Sequence, residues 1–298
     1  DERNEHILIS VNGEMFPRDE AKISVFDSGY LVGDGVWEGI RLHEGVFVFL
    51  EEHLDRLFAG AKMAFMDIRK TREELTRMLH EVVAANQMDD GVHVRLMVTR
   101  GNKKTPSQDP RLTVTPPNIV IIPEYKTANP EVSNQGVRLF TSAIRRGSPD
   151  YLDPRLNCHS KLHEVIALSQ ALKAGADEAL MLDINGFVST CNATNFFIVR
   201  NDEIWTSSGS YCMNGITRAK VIEVCRKNGI PIFEKDFSLV DVYSADEVFV
   251  TGTFGGLTPV TEVDGQSIDS ATTPGPVTQT LSKLYRDCIH DYIQSVKA

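Results

Sequence analysis

The chain has 298 residues, a mass of 33.2 kDa and a formal net charge of −10, with 42% hydrophobic and 24% charged residues. This composition is typical of a globular protein with one large or two medium domains. The acidic charge argues against a nucleic acid or an anionic membrane as partner, so anionic small molecules need a local basic pocket. No apolar run reaches the roughly 18 residues that a membrane span requires.

Five cysteines are present, an odd number, and none of them forms a CxxC pair. This usage argues against a disulfide framework and against a zinc site, so we expect no metal. A reducing compartment fits better, and we expect the protein to be cytoplasmic.

The first part of the chain, residues 1–122, predicts a small α/β domain. Asn12-Gly13 supplies the positive φ angles of a tight hairpin turn between two short strands. Apolar residues at helical spacing predict two helices, and alternating patterns predict the strands. The predicted elements are strands Ile7–Val11, Glu14–Phe16, Trp37–Leu42, Val46–Leu50, Val92–Thr99 and Asn118–Ile122, and helices Glu52–Ala64 and Arg72–Asn86.

Residues 123–136 are polar and contain two prolines, which predicts a connection between domains. A larger α/β domain is predicted over residues 137–298. Its predicted helices are Lys161–Lys173 and Thr217–Asn228, each followed by a glycine that stops it. Its predicted strands are Val137–Thr141, Ala179–Asp183, Gly186–Ser189, Asn195–Val199, Pro231–Phe233 and Glu247–Thr251.

Three features of the second domain indicate chemistry. Lys161 opens a helix in the run Arg155-Leu-Asn-Cys-His-Ser-Lys161, and a desolvated lysine can form a Schiff base with an aldehyde cofactor. Asn214-Gly-Ile-Thr217-Arg218 places backbone N–H groups and a hydroxyl at a helix start, which favours an anion. Thr251-Gly-Thr253 follows a strand and offers further hydroxyls to a phosphate. An amine and two anion-binding turns together indicate pyridoxal phosphate.

A set of ordered motifs resembles the class IV, or fold type IV, pyridoxal-phosphate aminotransferases over nearly the whole chain. That family includes branched-chain and D-amino-acid aminotransferases and aminodeoxychorismate lyase. The matching motifs are Asp34-Gly-Val-Trp37-Glu-Gly-Ile-Arg41, Glu52-His-Leu-Asp-Arg56, Gly175-Ala-Asp-Glu-Ala179, Asn195-Phe-Phe, Gly215-Ile-Thr-Arg218, Ala245-Asp-Glu-Val-Phe249 and Gly275-Pro-Val-Thr278.

The resemblance implies a two-domain α/β fold with cofactor and substrate between the domains. It implies an amino acid or amine as donor, a 2-oxo acid as acceptor and a homodimer as the assembly. The residues it assigns to the cofactor pyridoxal 5'-phosphate are Arg56, Thr190, Asn195, Ile216, Thr217 and Thr253. The residues it assigns to the substrate pocket are Trp37, Arg41, Arg95 and Phe254.

Two positions depart from the family pattern at the catalytic centre. A gapless alignment through Gly175 puts Asn157 where the family carries its Schiff-base lysine. If the helix of Lys161 extends back to Asn157, the two residues share a face about 5.4 Å apart, and we expect Lys161 to be an atypically placed substitute. Thr190 stands where the family has a glutamate at the pyridine nitrogen, and a hydroxyl supplies no charge there.

We therefore predict a transaminase in which Lys161 forms the Schiff base and moves the proton between substrate and cofactor. A neutral group at position 190 leaves open a lyase of the aminodeoxychorismate lyase type. Asn157 and Thr190 together leave open a catalytically altered homologue.

Overall fold

The computed structural model describes residues 1–127, 135–268, 270 and 272–298. The chain divides into two compact units. Unit 1 comprises Asp1–Thr127, Leu156–Ser160 and Tyr292–Ala298, and unit 2 comprises Ala128–Arg155 and Lys161–Asp291. The middle of the predicted connection, residues 128–134, lies outside the described residues.

Unit 1 is built on a six-stranded antiparallel sheet in the order β2-β1-β6-β5-β3-β4. Asn12 and Gly13 both have positive φ, as the predicted hairpin between β1 and β2 requires. The strands are β1 Leu8–Val11, β2 Glu14–Pro17, β3 Gly35–His43, β4 Val46–Phe47, β5 Val92–Thr99 and β6 Asn118–Tyr125.

Three helices accompany this sheet: α1 Ser28–Val32, α2 Leu50–Met63 and α3 Arg72–Ala85. Thr71 and Glu74 form a capping box that fixes the start of α3. The apolar faces of α2 and α3 join inward residues of the strands, such as Ile40 and Leu96, in one buried cluster. Because strand side chains alternate, the intervening residues Trp37, Arg41 and Arg95 lie on the other face of the sheet.

Unit 2 contains a nine-stranded mixed sheet in the order β12-β11-β10-β13-β14-β7-β8-β9, with β15 paired to β14. The pairs β11/β12, β14/β7 and β7/β8 are parallel. The strands are β7 Val137–Thr141, β8 Glu178–Leu182, β9 Val188–Cys191, β10 Asn195–Arg200, β11 Glu203–Thr206, β12 Ile232–Glu234, β13 Glu247–Gly252, β14 Gly256–Val263 and β15 Gln266–Ser267.

The helices of unit 2 are α4 Leu162–Lys173, α5 Ile216–Lys227, α6 Leu239–Tyr243 and the start of α7 Pro276–Lys297, whose last turns are grouped with unit 1. The helices α4 and α5 were predicted to within one residue at each end. The α/β class is confirmed. Sequence reasoning missed α1, α6, α7, β11, β14 and β15, and it extended the second hairpin into residues that begin α2. Within the described residues, no helix combines the length and apolarity needed to cross a bilayer.

A buried ion pair joins β3 to α2 inside unit 1. Arg56 donates Nε to Oε1 of Glu38 at 2.8 Å and Nη2 to Oε2 at 2.6 Å, while His53 Nδ1 lies 2.7 Å from Oε2. Burial raises the pKa of Glu38, but the hydrogen bonds and charges of Arg56 and His53 outweigh it, so the pKa is lowered overall. The Glu38 carboxylate is therefore charged although it is fully buried. A buried charge of this kind is stable only while Arg56 and His53 compensate it.

Replacing Glu38 with Gln should lower the free energy of unfolding by about 3–5 kcal/mol, because Arg56 loses its buried counter-charge. Urea unfolding at pH 7 measures the loss. Glu51→Gln is the matched control, since Glu51 pairs with Arg72 at the surface and should matter far less. Equal effects of the two substitutions would contradict a stabilising role for the buried pair.

Candidate functional site

The side-chain amide of Asn195 organises the candidate site in unit 2. Its Oδ1 accepts the backbone N–H of Gly215 at 3.2 Å, and its Nδ2 donates to the carbonyl of Met213 at 2.9 Å. The same Nδ2 lies 3.3 Å from Thr190 Oγ1. One buried amide at the start of β10 thus connects the end of β9 with the loop that leads into α5.

The N-terminus of α5 is shaped for an anion. Gly215 is its N-cap residue and provides no side chain to bond the first-turn N–H groups. A Cβ at position 215 would collide with Asn195 Oδ1, so glycine is required for this approach. Ile216 and Thr217 form the first helical turn, where the helix dipole favours negative charge by roughly 0.3–1 kcal/mol. Tyr285 Oη lies 3.5 Å from Thr217 Oγ1.

The second predicted turn lies beside the same amide. Asn195 pairs in register with Thr251, and β13 ends at Gly252, so Thr253 and Phe254 form the turn into β14. The Oγ1 atom of Thr251 is buried and has no hydrogen-bond partner among the described residues. Such an orphaned hydroxyl marks a place where a ligand can complete the bonding. The two turns that were predicted to bind an anion therefore each have a residue in contact with Asn195.

Thr190 is buried on β9 and its hydroxyl is already engaged. Oγ1 donates to the carbonyl of Thr194 at 2.7 Å and accepts from Asn195. Because its single proton is used, Thr190 can accept a further hydrogen bond but has none to donate. A ligand that bonds Thr190 must therefore supply the proton of that hydrogen bond.

Lys161 lies in an ion pair in front of α4. Its Nζ is 3.4 Å from Oε1 of Glu164, which also accepts Nη1 of Arg146 at 2.8 Å. His163 Nδ1 is 2.9 Å from Oε2 of the same carboxylate. Burial raises the pKa of Glu164, but His163, Lys161 and Arg146 lower it to about 2, so the carboxylate stays charged. Lys161 must leave this pair to reach a carbonyl.

The condition under which Asn157 and Lys161 share a helical face is not met. Helix α4 begins at Leu162, and Lys161 is its N-cap residue. Asn157 instead lies in the extended segment Leu156–Ser160, which pairs with β3 through a bridge between Val36 and Cys158. The predicted helical face shared by Asn157 and Lys161 is therefore wrong, because extended backbone and not helix precedes Leu162.

Arg56 belongs to unit 1, where it is bound to Glu38 as described above. The predicted substrate residues also lie in unit 1, on the outer face of its sheet. The Arg95 guanidinium stacks 4.1 Å from the ring centroid of Trp37, whose Nε1 donates to the carbonyl of Cys158. Arg41 donates to the carbonyl of Lys126 at 2.8 Å. The structure thus brings Trp37, Arg41 and Arg95 together.

His93 is a member of this outer face that sequence reasoning missed. It lies opposite Arg41 in the β3–β5 register, and a Cβ at Gly39 would lie 2.9 Å from its Nε2. Burial, followed by the charges of Lys126, Arg41 and Arg95, lowers its pKa to about 3. The ring is therefore neutral at physiological pH and surrounded by cations. Its alternation with Arg95 along β5 was the signal available in the sequence.

Sequence reasoning also missed the roles of four other residues of the candidate site. These are Thr251, Gly215 as the required glycine, and the pair Arg146 and Glu164. Thr251 was quoted within the turn, but its orphaned hydroxyl depends on strand pairing that a sequence does not display. Among the described residues, no three His, Cys, Asp or Glu side chains gather into a metal site.

His93 should make the protein less stable in acid. An unfolded histidine takes up a proton near pH 6.5, whereas folded His93 does so near pH 3, so stability falls as the pH drops from about 6.5 towards 4. His93→Gln should reduce this fall when unfolding free energies at pH 7 and 4.5 are compared. His290→Gln, at an exposed position of α7, should leave it unchanged. An unaltered fall in the His93 variant would contradict the assigned burial.

Comparison with known proteins identifies the family of the chain. The family described as amino-transferase class IV matches residues 35–263. Branched-chain-amino-acid aminotransferase-like protein 2 of Arabidopsis thaliana is 40% identical over 284 residues, which are 95% of this chain and 50% of that protein. A putative branched-chain-amino-acid aminotransferase of Methanocaldococcus jannaschii is 39% identical, with 94% of this chain and 95% of that protein covered.

The chain thus spans about half the length of the Arabidopsis relatives that it matches. Among solved structures, the T.th. branched-chain amino acid aminotransferase with pyridoxamine 5'-phosphate superposes with a TM-score of 0.88. It shares 31% identity, and the match covers 95% of this chain and 94% of that one. The extent of these matches, together with the motifs around Asn195, shows that the chain belongs to the class IV aminotransferase family.

Proposed function

We propose that the chain is a pyridoxal-phosphate-dependent aminotransferase that moves an amino group between an amino acid and a 2-oxo acid. The observation that carries this proposal is the anion site of unit 2, where Asn195 joins the N-terminus of α5 to the turn after β13. The T.th. structure of the same family holds pyridoxamine 5'-phosphate, which has a phosphate and an amine.

The described residues fit the phosphate end of such a cofactor. The N–H groups of Ile216 and Thr217 and the hydroxyls of Thr217 and Thr253 are the proposed donors, and the orphaned hydroxyl of Thr251 is a further candidate. The family resemblance alone assigns Arg56 to the phosphate, and within its own unit the guanidinium is oriented by Glu38.

When bound, the cofactor supplies an electrophilic carbonyl carbon and an electron sink. Lys161 is the proposed catalytic lysine, and its Nζ would take the proton from the substrate and return it. Glu164, held by Arg146, would pair with the Lys161 ammonium whenever Lys161 is not engaged with a ligand. Thr190 Oγ1 would accept a hydrogen bond from the ring N–H without compensating its charge.

Substrate binding is proposed for the outer face of unit 1. Arg41, Arg95 and Lys126 are cations in a chain whose net charge is −10, so they create the local basic surface that a carboxylate needs. Trp37 would cover the apolar part of the substrate. Phe254 is proposed for the substrate pocket on the family resemblance alone.

A second candidate is a lyase of the aminodeoxychorismate lyase type, which the uncharged Thr190 leaves open because elimination tolerates a neutral partner at the ring nitrogen. A product formed from an amino acid without any 2-oxo acid would identify the lyase.

A catalytically altered homologue is the third candidate, and it is favoured by the placement of Asn157 on extended backbone.

A homodimer in the cytoplasm, with small molecules as ligands and neither nucleic acid nor membrane as partner, completes the proposal. The family resemblance supports the dimer, and the odd cysteine count without a CxxC pair supports the compartment. Light scattering in solution would test the dimer.

Lys161→Ala should lower the rate of amino transfer from a panel of L- and D-amino acids to 2-oxoglutarate and pyruvate by about 10²–10⁴-fold, because the proton carrier is lost. Pyridoxamine 5'-phosphate should still bind, since the phosphate site is untouched. Steady-state kinetics and titration calorimetry measure the two effects separately.

Lys173→Ala is the matched control, because Lys173 is an exposed residue at the other end of α4. It should leave both quantities unchanged. Full activity of the Lys161 variant would exclude this lysine, and absence of transfer from every donor in the wild-type protein would refute the aminotransferase assignment.

A further inference from the structure

The segment Leu156–Ser160 adds an extended edge to β3 of unit 1. Trp37 donates its N–H to the carbonyl of Asn157 at 3.1 Å, and His159 donates its N–H to the carbonyl of Gly35 at 2.9 Å. Because side chains alternate along extended backbone, Asn157 and His159 lie on one face and Cys158 on the other. Their face is the one that carries Trp37, Arg41 and Arg95.

Asn157 is buried, and half of its amide lacks a partner. Its Nδ2 donates to the carbonyl of Trp37 at 2.6 Å, which fixes the orientation of the amide. Its Oδ1 is buried and has no hydrogen-bond partner among the described residues. The unused atom is therefore an acceptor.

His159 presents a second unused acceptor. Burial lowers the pKa of His159. The negative charge of Asp27 raises the pKa by less, so the ring is neutral at pH 7. The ring donates to the backbone of Val36, while Nε2 is buried without a partner among the described residues. The donor must then be Nδ1, which leaves the lone pair on Nε2 free to accept.

Space for this ring depends on a glycine. A Cβ at position 35 would lie 2.8 Å from His159 Nδ1, so any other residue would displace the imidazole. Leaving a buried polar atom without a hydrogen-bond partner is destabilising. Two unused acceptors therefore lie on one face of the segment, and Gly35 leaves the space that the imidazole ring needs. This arrangement indicates a ligand that donates hydrogen bonds.

We propose that Asn157 Oδ1 and His159 Nε2 form a recognition site for a primary amino group. A hydroxyl has one proton and can satisfy one acceptor, whereas an amine or ammonium can satisfy both. Asn157 stands at the family's lysine position, where an amide cannot bond covalently but can accept from an amine. The inference rests on the proposed function, which supplies two sources of such an amine: pyridoxamine 5'-phosphate and the amino acid substrate.

Titration calorimetry with two cofactor analogues tests the first source. Pyridoxamine 5'-phosphate carries an aminomethyl group on ring carbon 4. In 4-deoxypyridoxine 5'-phosphate, a methyl group takes its place on that carbon. The wild-type protein should bind the amine at least about tenfold more tightly, the equivalent of one to two net hydrogen bonds. This preference should disappear in Asn157→Leu and in His159→Phe.

Ser160→Ala is the matched control, because Ser160 belongs to the same segment but bonds Gly33 and lies on the opposite side. It should keep the preference. Thermal unfolding of each variant checks folding, and Asn157→Ala replaces any variant that does not fold.

The second source is tested on protein saturated with 4-deoxypyridoxine 5'-phosphate, by comparing L-glutamate with glutarate, which lacks the amine. A preference for the amine in either comparison, lost in the Asn157 and His159 variants, supports the site and identifies its ligand. Equal binding in both comparisons, as expected if a water molecule occupies the acceptors, overturns the proposal. Failure of both cofactor analogues to bind would instead refute the proposed cofactor.

Discussion

The amide of Asn195 is the interaction on which the candidate anion site depends. A single side chain at the start of β10 bonds Thr190, Met213 and Gly215, and its backbone pairs with Thr251. Each hydrogen bond contributes only about 1 kcal/mol net, but removal of the amide would orphan several buried groups at once. The position of α5 relative to the turn after β13 is therefore set by this residue, and the anion site follows from that position.

Asn157 and Thr190, the two positions expected to depart from the family pattern, are both buried neutral groups. Thr190 uses its only proton within the protein, and Asn157 keeps an acceptor unused. Lys161 lies in an ion pair with Glu164. We propose amine recognition for Asn157 and His159 and proton transfer for Lys161.

Local patterns predicted the elements that local physics determines. Asn12-Gly13 located a hairpin, and helical spacing located α3 and α5, because turn chemistry and amphipathic periodicity act within a few residues. The motifs also located Thr217 and Asn195. The backbone before Lys161 was beyond such reasoning, because its extended form comes from pairing with β3, more than a hundred residues away in the sequence. The roles of His159, His93 and Thr251 depend on the same kind of non-local pairing, since burial and missing partners become visible only after the strands are assembled.

The most direct test of this account measures what the phosphate contributes to binding. The ratio of affinities for pyridoxamine 5'-phosphate and pyridoxamine isolates that contribution, since the two differ in the phosphate alone. We expect a ratio of roughly 100 or more in the wild-type protein, from several charge-assisted hydrogen bonds. Asn195→Ala should remove most of this ratio, while Asn185→Ala, at an exposed position of unit 2, should preserve it. A folded Asn195→Ala protein with the wild-type ratio would contradict the central claim that this amide assembles the anion site.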